Sequence, residues 1–258
     1  MTKTAAYTRL RQVCLATLDI RKDEAALSRI FGLQPCHESW LEEFGLENSL
    51  FALGGSFLEL VAPIRDKTAV HRFLERSGGL GGYMAIFDCD DTARKKRLAS
   101  ELHIDPVYER EGDGADLLQL NPRETGITLL EFDHHKGGPD RFDAYEWAGP
   151  DWQDRVDQSV VEDITGYVFS CNDPASRANL WSALMEQPAD HNGATSHIAL
   201  DYGSLAFEPS SPAVTRDYFS AIRVKAVQPE LILKRAESEG YSITGSGFHV
   251  AGVDILVG

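Results

Sequence analysis

The sequence predicts an α+β protein assembled from four copies of one unit, a strand followed by a helix and several further strands, written βαβββ. Apolar strand-like runs recur at roughly 45 to 60 residue intervals, each followed by a stretch of helical spacing and then by shorter runs broken at turn residues. Two closing strands each carry a lone acid in an apolar stretch, Glu59 in FLELVAP and Glu131 in ITLLEF. A repeated unit with one carboxylate per copy accounts for both.

The first unit opens with the strand Leu10 to Leu18 and continues with a helix from Lys22 to Phe31, where Ala26, Leu27 and Ile30 share a face and Gly32 is the stop. After a polar bend at Pro35, Leu46 to Leu53 and Ser56 to Val61 read as strands joined by Gly54-Gly55. A linker, Pro63 to Gly79, is helical around Ala69 to Arg76. In the second unit, Gly82 to Cys89 is a strand and Asp90-Asp91-Thr92 caps a helix running to about Leu102. Strands follow at Pro106 to Glu109, Asp116 to Leu120 and Gly126 to Phe132.

Residues from Asp133 to Asp157 mix glycine, proline, charge and aromatics, which reads as a connector packed by its own side chains. The third unit has the strand Ile164 to Cys171, then Asp173-Pro174 as cap and first-turn proline. Its helix buries Trp181, Leu184 and Met185, and strands follow at His197 to Leu200 and Ser204 to Phe207. The fourth has Tyr218 to Ala226, a helix from Pro229 to Glu239, and closing strands at Tyr241 to Thr244, Phe248 to Ala251 and Val253 to Val257.

Composition narrows the function classes. At 258 residues the chain holds one large domain or two ordinary ones, and 43% hydrophobic with 25% charged residues is a globular mixture. A formal net charge of -15 argues against a grip on a phosphate backbone, which needs clustered Lys and Arg. No apolar run approaches the roughly 20 residues of a membrane span, and MTKTAAYTRLRQ lacks the apolar core of a signal peptide. The expectation is a cytoplasmic protein with a small-molecule substrate and neither nucleic acid nor membrane as partner. Cys14, Cys36, Cys89 and Cys171 form no CxxC pair, which removes the common zinc-ribbon spacing.

Close or desolvated carboxylates hold protons more tightly, so Glu59 and Glu131 facing one cavity would supply an acid and a base near neutral pH. Tyr83 and Met84 are candidate pocket residues, the tyrosine as donor to a substrate oxygen. His134 and His135 read as solvated residues beyond the Glu131 strand. The run Arg94-Lys95-Lys96-Arg97 reads as a solvated helix face.

The segment FLELVAPIRDKTAVHRFLERSGGLGGYMAIFDCDD resembles the methylmalonyl-CoA epimerases of the vicinal oxygen chelate superfamily, to which glyoxalase I, bleomycin-resistance proteins and extradiol dioxygenases also belong. The resemblance lies in residues 8–135; SCNDPASRANLW matches only as a module start. It implies four modules forming two paired-module half-open barrels, with 8–135 as the domain bearing the site, 136–158 as connector and 159–258 as a degenerate second domain. It also implies Gln12, Glu59 and Glu131 as metal ligands, with Met84 where those families have histidine. The ion implied is divalent: zinc, nickel, cobalt, manganese or magnesium. The implied activity is proton transfer next to a carbonyl on a small oxygenated substrate, as isomerase, epimerase or lyase, with Glu59 or Glu131 as base and Tyr83 as hydrogen-bond donor. The alternative is metal-free binding or sequestration of the bleomycin-resistance type. Related proteins often form homodimers, which is the assembly the resemblance allows.

Overall fold

The computed structural model describes residues 6–137 and 139–258, and all four modules are present in it. The first comprises β1 (Thr8–Ala16), α1 (Ile20–Phe31), β2 (His37–Leu41), β3 (Leu46–Leu53) and β4 (Ser56–Pro63), followed by the linker helix α2 (Ala69–Ser77). The second comprises β5 (Met84–Cys89), α3 (Thr92–Glu101), β6 (Pro106–Arg110), β7 (Ala115–Leu120), the one-turn α4 (Pro122–Thr125) and β8 (Leu129–His135). The third has β9 (Val161–Cys171), α5 (Pro174–Met185), β10 (Ala189–Asn192), β11 (Thr195–Ala199) and β12 (Ser204–Pro209). The fourth has β13 (Tyr218–Ala226), α6 (Pro229–Ser238), β14 (Ile243–Thr244), β15 (Gly247–Val250) and β16 (Val253–Val257).

Strands pair in the order β2-β3-β4-β1-β5-β8-β7-β6 in one eight-stranded sheet and β10-β11-β12-β9-β13-β16-β15-β14 in the other. Each sheet therefore takes two consecutive modules. In every module the first strand runs parallel to the last, as in β1 with β4, β5 with β8, β9 with β12 and β13 with β16. Parallel partners need a long crossover, and the module's helix supplies it. The meander strands between are antiparallel, as short turns dictate. The α+β class and the fourfold module read from the sequence are the ones observed.

The helix starts follow from their caps. Asp19 accepts the Lys22 N–H at 3.1 Å, Asp91 the Arg94 N–H at 2.9 Å and Asp173 the Ser176 N–H at 3.0 Å. Each satisfies one amide that the first turn leaves unbonded. Replacing Asp19 or Asp91 by alanine is expected to lower unfolding free energy by about 1 kcal/mol, measured by urea denaturation; no change would show that the cap is dispensable.

Two strands and one α-helix escaped the sequence reading, as did the 3-10 turns Glu146–Ala148 and Trp152–Arg155 of the connector. β2 and β10 are edge strands of mostly polar residues, HESWL and ADHN, half-buried or exposed along their length. An edge strand with one solvated face needs no apolar run, so hydrophobic pattern cannot find it. α4 is a single turn begun by Asn121 and Pro122 and ended by Gly126 at φ 87°. The Arg94 to Arg97 run is also not the uniformly solvated face expected. Lys95 is wholly buried, and its Nζ donates to Leu184 O and to Glu186 Oε2, both at 2.9 Å.

By density of contact the chain falls into two compact units, and these do not follow chain order. One holds residues 6–11, 84–137, 139–146 and 166–219, which is most of the second and third modules with the start of β1. The other holds Gln12–Tyr83, Trp147–Thr165 and Ser220–Gly258, the first and fourth modules with part of the connector. The first unit is centred on Phe87, Phe132, Tyr167, Phe169, Trp181, Phe207 and Phe219, whose rings meet at 4.7 to 6.4 Å. Trp181 Nε1 donates to Thr125 O at 3.0 Å, giving that buried indole its polar partner. In the second unit Trp152 packs edge-on to Phe57 at 4.9 Å. There Gly54 has φ 61°, and a Cβ on it would lie 2.4 Å from Glu162 O, so the turn between β3 and β4 admits no side chain.

Candidate functional site

Glu59 is held in the Gln12–Tyr83 unit by strand register. β1 and β4 run side by side with Cys14 opposite Glu59 and Gln12 opposite Phe57, so the Gln12 side chain reaches Glu59 from one register step away. β4 is buried along both faces except at its last residue, and Glu59 is buried with it. A carboxylate so placed must be hydrogen-bonded. Gln12 Nε2 donates to Oε2 at 2.9 Å and Asn48 Nδ2 to Oε1 at 2.8 Å; Asn48 Oδ1 in turn accepts from Ser39 N–H and Oγ–H, at 3.0 and 2.7 Å. Burial raises the Glu59 pKa from its ordinary range, and the hydrogen bonds from Asn48, Cys14 and Gln12 offset part of that rise. The solvent-facing strand glutamate is thereby excluded at this position. Tyr83 lies in the same unit, half-buried, its N–H donating to Cys14 O at 2.9 Å and its ring edge-on to Phe73 at 5.2 Å.

Glu131 lies in the other unit. It is buried on β8, opposite Ile86 on β5 and Gln119 on β7, and Gln119 Nε2 donates to its Oε2 at 2.7 Å. Met84 is also buried there, opposite Leu129. Each glutamate is thus tied to an amide side chain within its own unit.

Around Glu131 the structure reveals a buried polar cluster that the sequence reading missed. β8 runs on through Asp133 to His135, so the His134-His135 pair is strand and the expected loop histidines are corrected. Asp133, His135, Asp88, Arg9, Arg11 and Tyr145 are all buried. Arg9 grips Asp88 Oδ2 through Nε at 3.0 Å and Nη2 at 2.5 Å, and His135 Nδ1 lies 3.5 Å from Asp88 Oδ1. Burial alone would raise the Asp88 pKa, but the His135 hydrogen bond and the Arg9 and Arg11 charges outweigh it and hold the carboxyl below its usual range. The Tyr145 ring lies between Arg11, whose Cζ is 4.6 Å from its centroid, and the His135 ring at 4.5 Å. The sequence signal was the arginine at alternate positions 9 and 11 of an otherwise apolar strand.

In the second half β12, β13 and β16 carry packing residues. Phe207, Phe219 and Val257 are buried, the two phenylalanines 5.3 and 5.0 Å from Phe169. Cys36 is a thiol donating to Leu50 O at 3.4 Å, and burial pushes its pKa up to about 11, so it forms no thiolate pair with His37.

A resident divalent cation does not fit the donors present. Zinc asks for four nitrogen, sulfur or carboxylate ligands and magnesium for about six oxygens. At Glu59 the donors are its carboxylate and two amides, and both oxygens of that carboxylate already accept amide N–H. Glu131 is likewise engaged by Gln119, and the buried Met84 is a soft donor unsuited to hard cations. Among the described residues no group of three or more His, Cys, Asp or Glu could hold a metal ion.

No family model matches the chain. It is 28% identical over 132 residues to the uncharacterized protein YqjC of Bacillus subtilis, a match covering 50% of this chain and 94% of that one. It is 24% identical over 128 residues to the mitochondrial methylmalonyl-CoA epimerase of Dictyostelium discoideum, covering 48% and 77% of the two chains. A crystal structure of a hypothetical protein from Staphylococcus aureus superposes with a TM-score of 0.70 at 10% identity over 97% of this chain and 98% of that one. Among the described residues no helix is long and apolar enough to cross a membrane. The first-to-last parallel pairing repeated in four modules is the architecture that the resemblance to the vicinal oxygen chelate superfamily implies.

Proposed function

We propose that the chain is an isomerase or epimerase that moves a proton at the carbon next to a carbonyl, with Glu59 as the base. The observation that carries this reading is a buried carboxylate whose pKa burial has raised, held in place by two side-chain amides. A raised pKa makes the carboxylate a stronger base, and its amides fix the geometry in which it works. In the reaction the Glu59 carboxylate takes the proton from the α-carbon, and the electron pair moves onto the carbonyl oxygen as an enolate. Tyr83 is assigned as donor to that oxygen; a proton from water delivered to the opposite face of the planar carbon completes the inversion, and Glu59 returns the proton it took to solvent. Asn48 and Gln12 keep the carboxylate in place while its charge changes. Glu131, held by Gln119 in the other unit, is the second candidate base.

Likeness to an epimerase supports a branched acyl thioester as the first substrate to test. The test follows wash-in of deuterium from D2O at the α-carbon of methylmalonyl-CoA by mass spectrometry. Exchange above the buffer rate supports the reading, and tight binding without exchange supports sequestration instead. Because the donors do not fit a divalent ion, exchange is expected to survive EDTA at full rate, and metal titration of the purified protein to find no stoichiometric uptake. A tenfold loss with EDTA that added metal restores would overturn the metal-free mechanism.

A further inference from the structure

The hydrogen bonds around Glu59 run in one direction, and they begin on a strand that the carboxylate does not touch. Ser39 lies half-buried in the middle of β2, the edge strand of its sheet, opposite Asn48 on β3. Its backbone N–H and its hydroxyl both reach one atom, Asn48 Oδ1, at 3.0 and 2.7 Å. A backbone N–H only donates, so the Asn48 atom that meets it is the carbonyl oxygen, and this bond fixes which end of the amide is which. The Asn48 NH2 group is thereby turned to Glu59, donating to Oε1 at 2.8 Å.

That orientation decides which form of the acid the site favours. With Gln12 Nε2 donating to Oε2 at 2.9 Å, both oxygens of Glu59 face N–H groups, which suits a carboxylate and opposes a proton on either oxygen. Burial acts the other way and favours the protonated form, which cannot take a proton from a substrate. Glu59 meets Cys14 and Gln12 from β1 and Asn48 from β3, and of the three Asn48 does most to offset burial. Among the described residues no charged side chain of α1 or α2, the helices packed on β4, acts on it.

We infer that Ser39 is a positioning residue for Glu59, acting through Asn48 by fixing which end of that amide faces the carboxylate, an inference that rests on the reading of Glu59 as the base. The chain Ser39–Asn48–Glu59 carries the order of an edge strand to a buried acid and holds that acid in the ionised form a base requires. Linked hydrogen bonds polarise one another, so the two donors of Ser39 also strengthen the bond from Asn48 to Glu59. A plain clip between β2 and β3 would tie the strands together and leave the titration of Glu59 where it is.

Two readouts on the full chain test this, one of them independent of activity. The Glu59 carboxyl is titrated by NMR after carbon-13 labelling of glutamate, its signal assigned by its loss in Glu59→Gln, and α-proton exchange of methylmalonyl-CoA in D2O is followed against pH. Asn48→Asp keeps the shape and both bonds from Ser39 but turns an acceptor toward Glu59, so the two acids share a proton. The Glu59 titration and the acid limb of exchange are expected to move up by about one pH unit or more. Ser39→Ala is expected to move both up by about half a unit, and Ser39→Thr, which restores the hydroxyl, to return them to the parent values. A Glu59 titration in Ser39→Ala identical to the parent's, with or without a lowered Tm, would overturn the positioning role. So would a shift in Ser39→Ala that Ser39→Thr fails to reverse, since packing alone would then account for it. The expected titration shifts in a chain that exchanges no α-proton would leave Ser39 as the residue that positions Glu59 and end the proton-transfer reading alone.

Discussion

Glu59→Gln is expected to abolish α-proton exchange, by about 10²- to 10⁴-fold as removal of a general base typically does, while leaving the protein folded and more stable at pH 8 than its parent. The two halves of this result have one cause. Burial raises the Glu59 pKa above the ordinary glutamate value of 4.5. Between that value and the raised one, the native state holds a proton that the unfolded chain has released. Native stability therefore falls as pH rises through this window, and the loss is complete above the folded pKa. A glutamine has the same shape and no charge to desolvate, so the variant lacks the decline. Its Tm should match the parent near pH 4 and exceed it at pH 8, and its unfolding profile should be flatter in between. Exchange retained in Glu59→Gln and lost in Glu131→Gln would transfer the base role to the other unit. Exchange retained in both would end the enzyme assignment.

The largest stability effect is expected at Asp88. Replacing it by asparagine leaves Arg9 buried without its carboxylate and removes the charge that offsets Arg11, which together should cost about 3–5 kcal/mol. The sign of the pH dependence is opposite to that of Glu59. The folded pKa of Asp88 lies below the ordinary aspartate value of 3.8, so its stabilisation is present above that pH and fades as pH falls through the folded pKa. The parent should lose stability on this acid limb, and Asp88→Asn should lose less of it. Urea denaturation at pH 7 and pH 3 measures both, and a midpoint at pH 7 within error of the parent would show that the cluster contributes nothing.

Much of the fold was legible in the chain. Capping aspartates at 91 and 173 and glycines at 32 and 54 act within a few residues of themselves, so their meaning survives without tertiary context. Apolar strands on the buried part of a sheet announce themselves in the same way. The polar edge strands β2 and β10 do not, because their only requirement is a neighbour to bond to. The site was legible in part. Glu59 stood out as a lone acid in an apolar strand, and its partner Gln12 was named with it, but Asn48 was not, since it lies across the meander at a position where any polar residue reads as surface. The cluster of Arg9, Asp88, His135 and Tyr145 went unread for a like reason: these residues are far apart in sequence and each is unremarked alone.

By itself the sequence determined the four modules, their helices and the buried glutamates, all consequences of periodicity and local hydrogen bonding. Only the tertiary structure decided which residues meet those carboxylates and which modules pack together. Contact gathers the first module with the fourth and the second with the third, although each sheet joins consecutive ones. Strand pairing follows backbone hydrogen bonds between neighbouring strands, whereas burial of apolar and charged side chains depends on which surfaces close over them, and no local pattern in the chain carries that information.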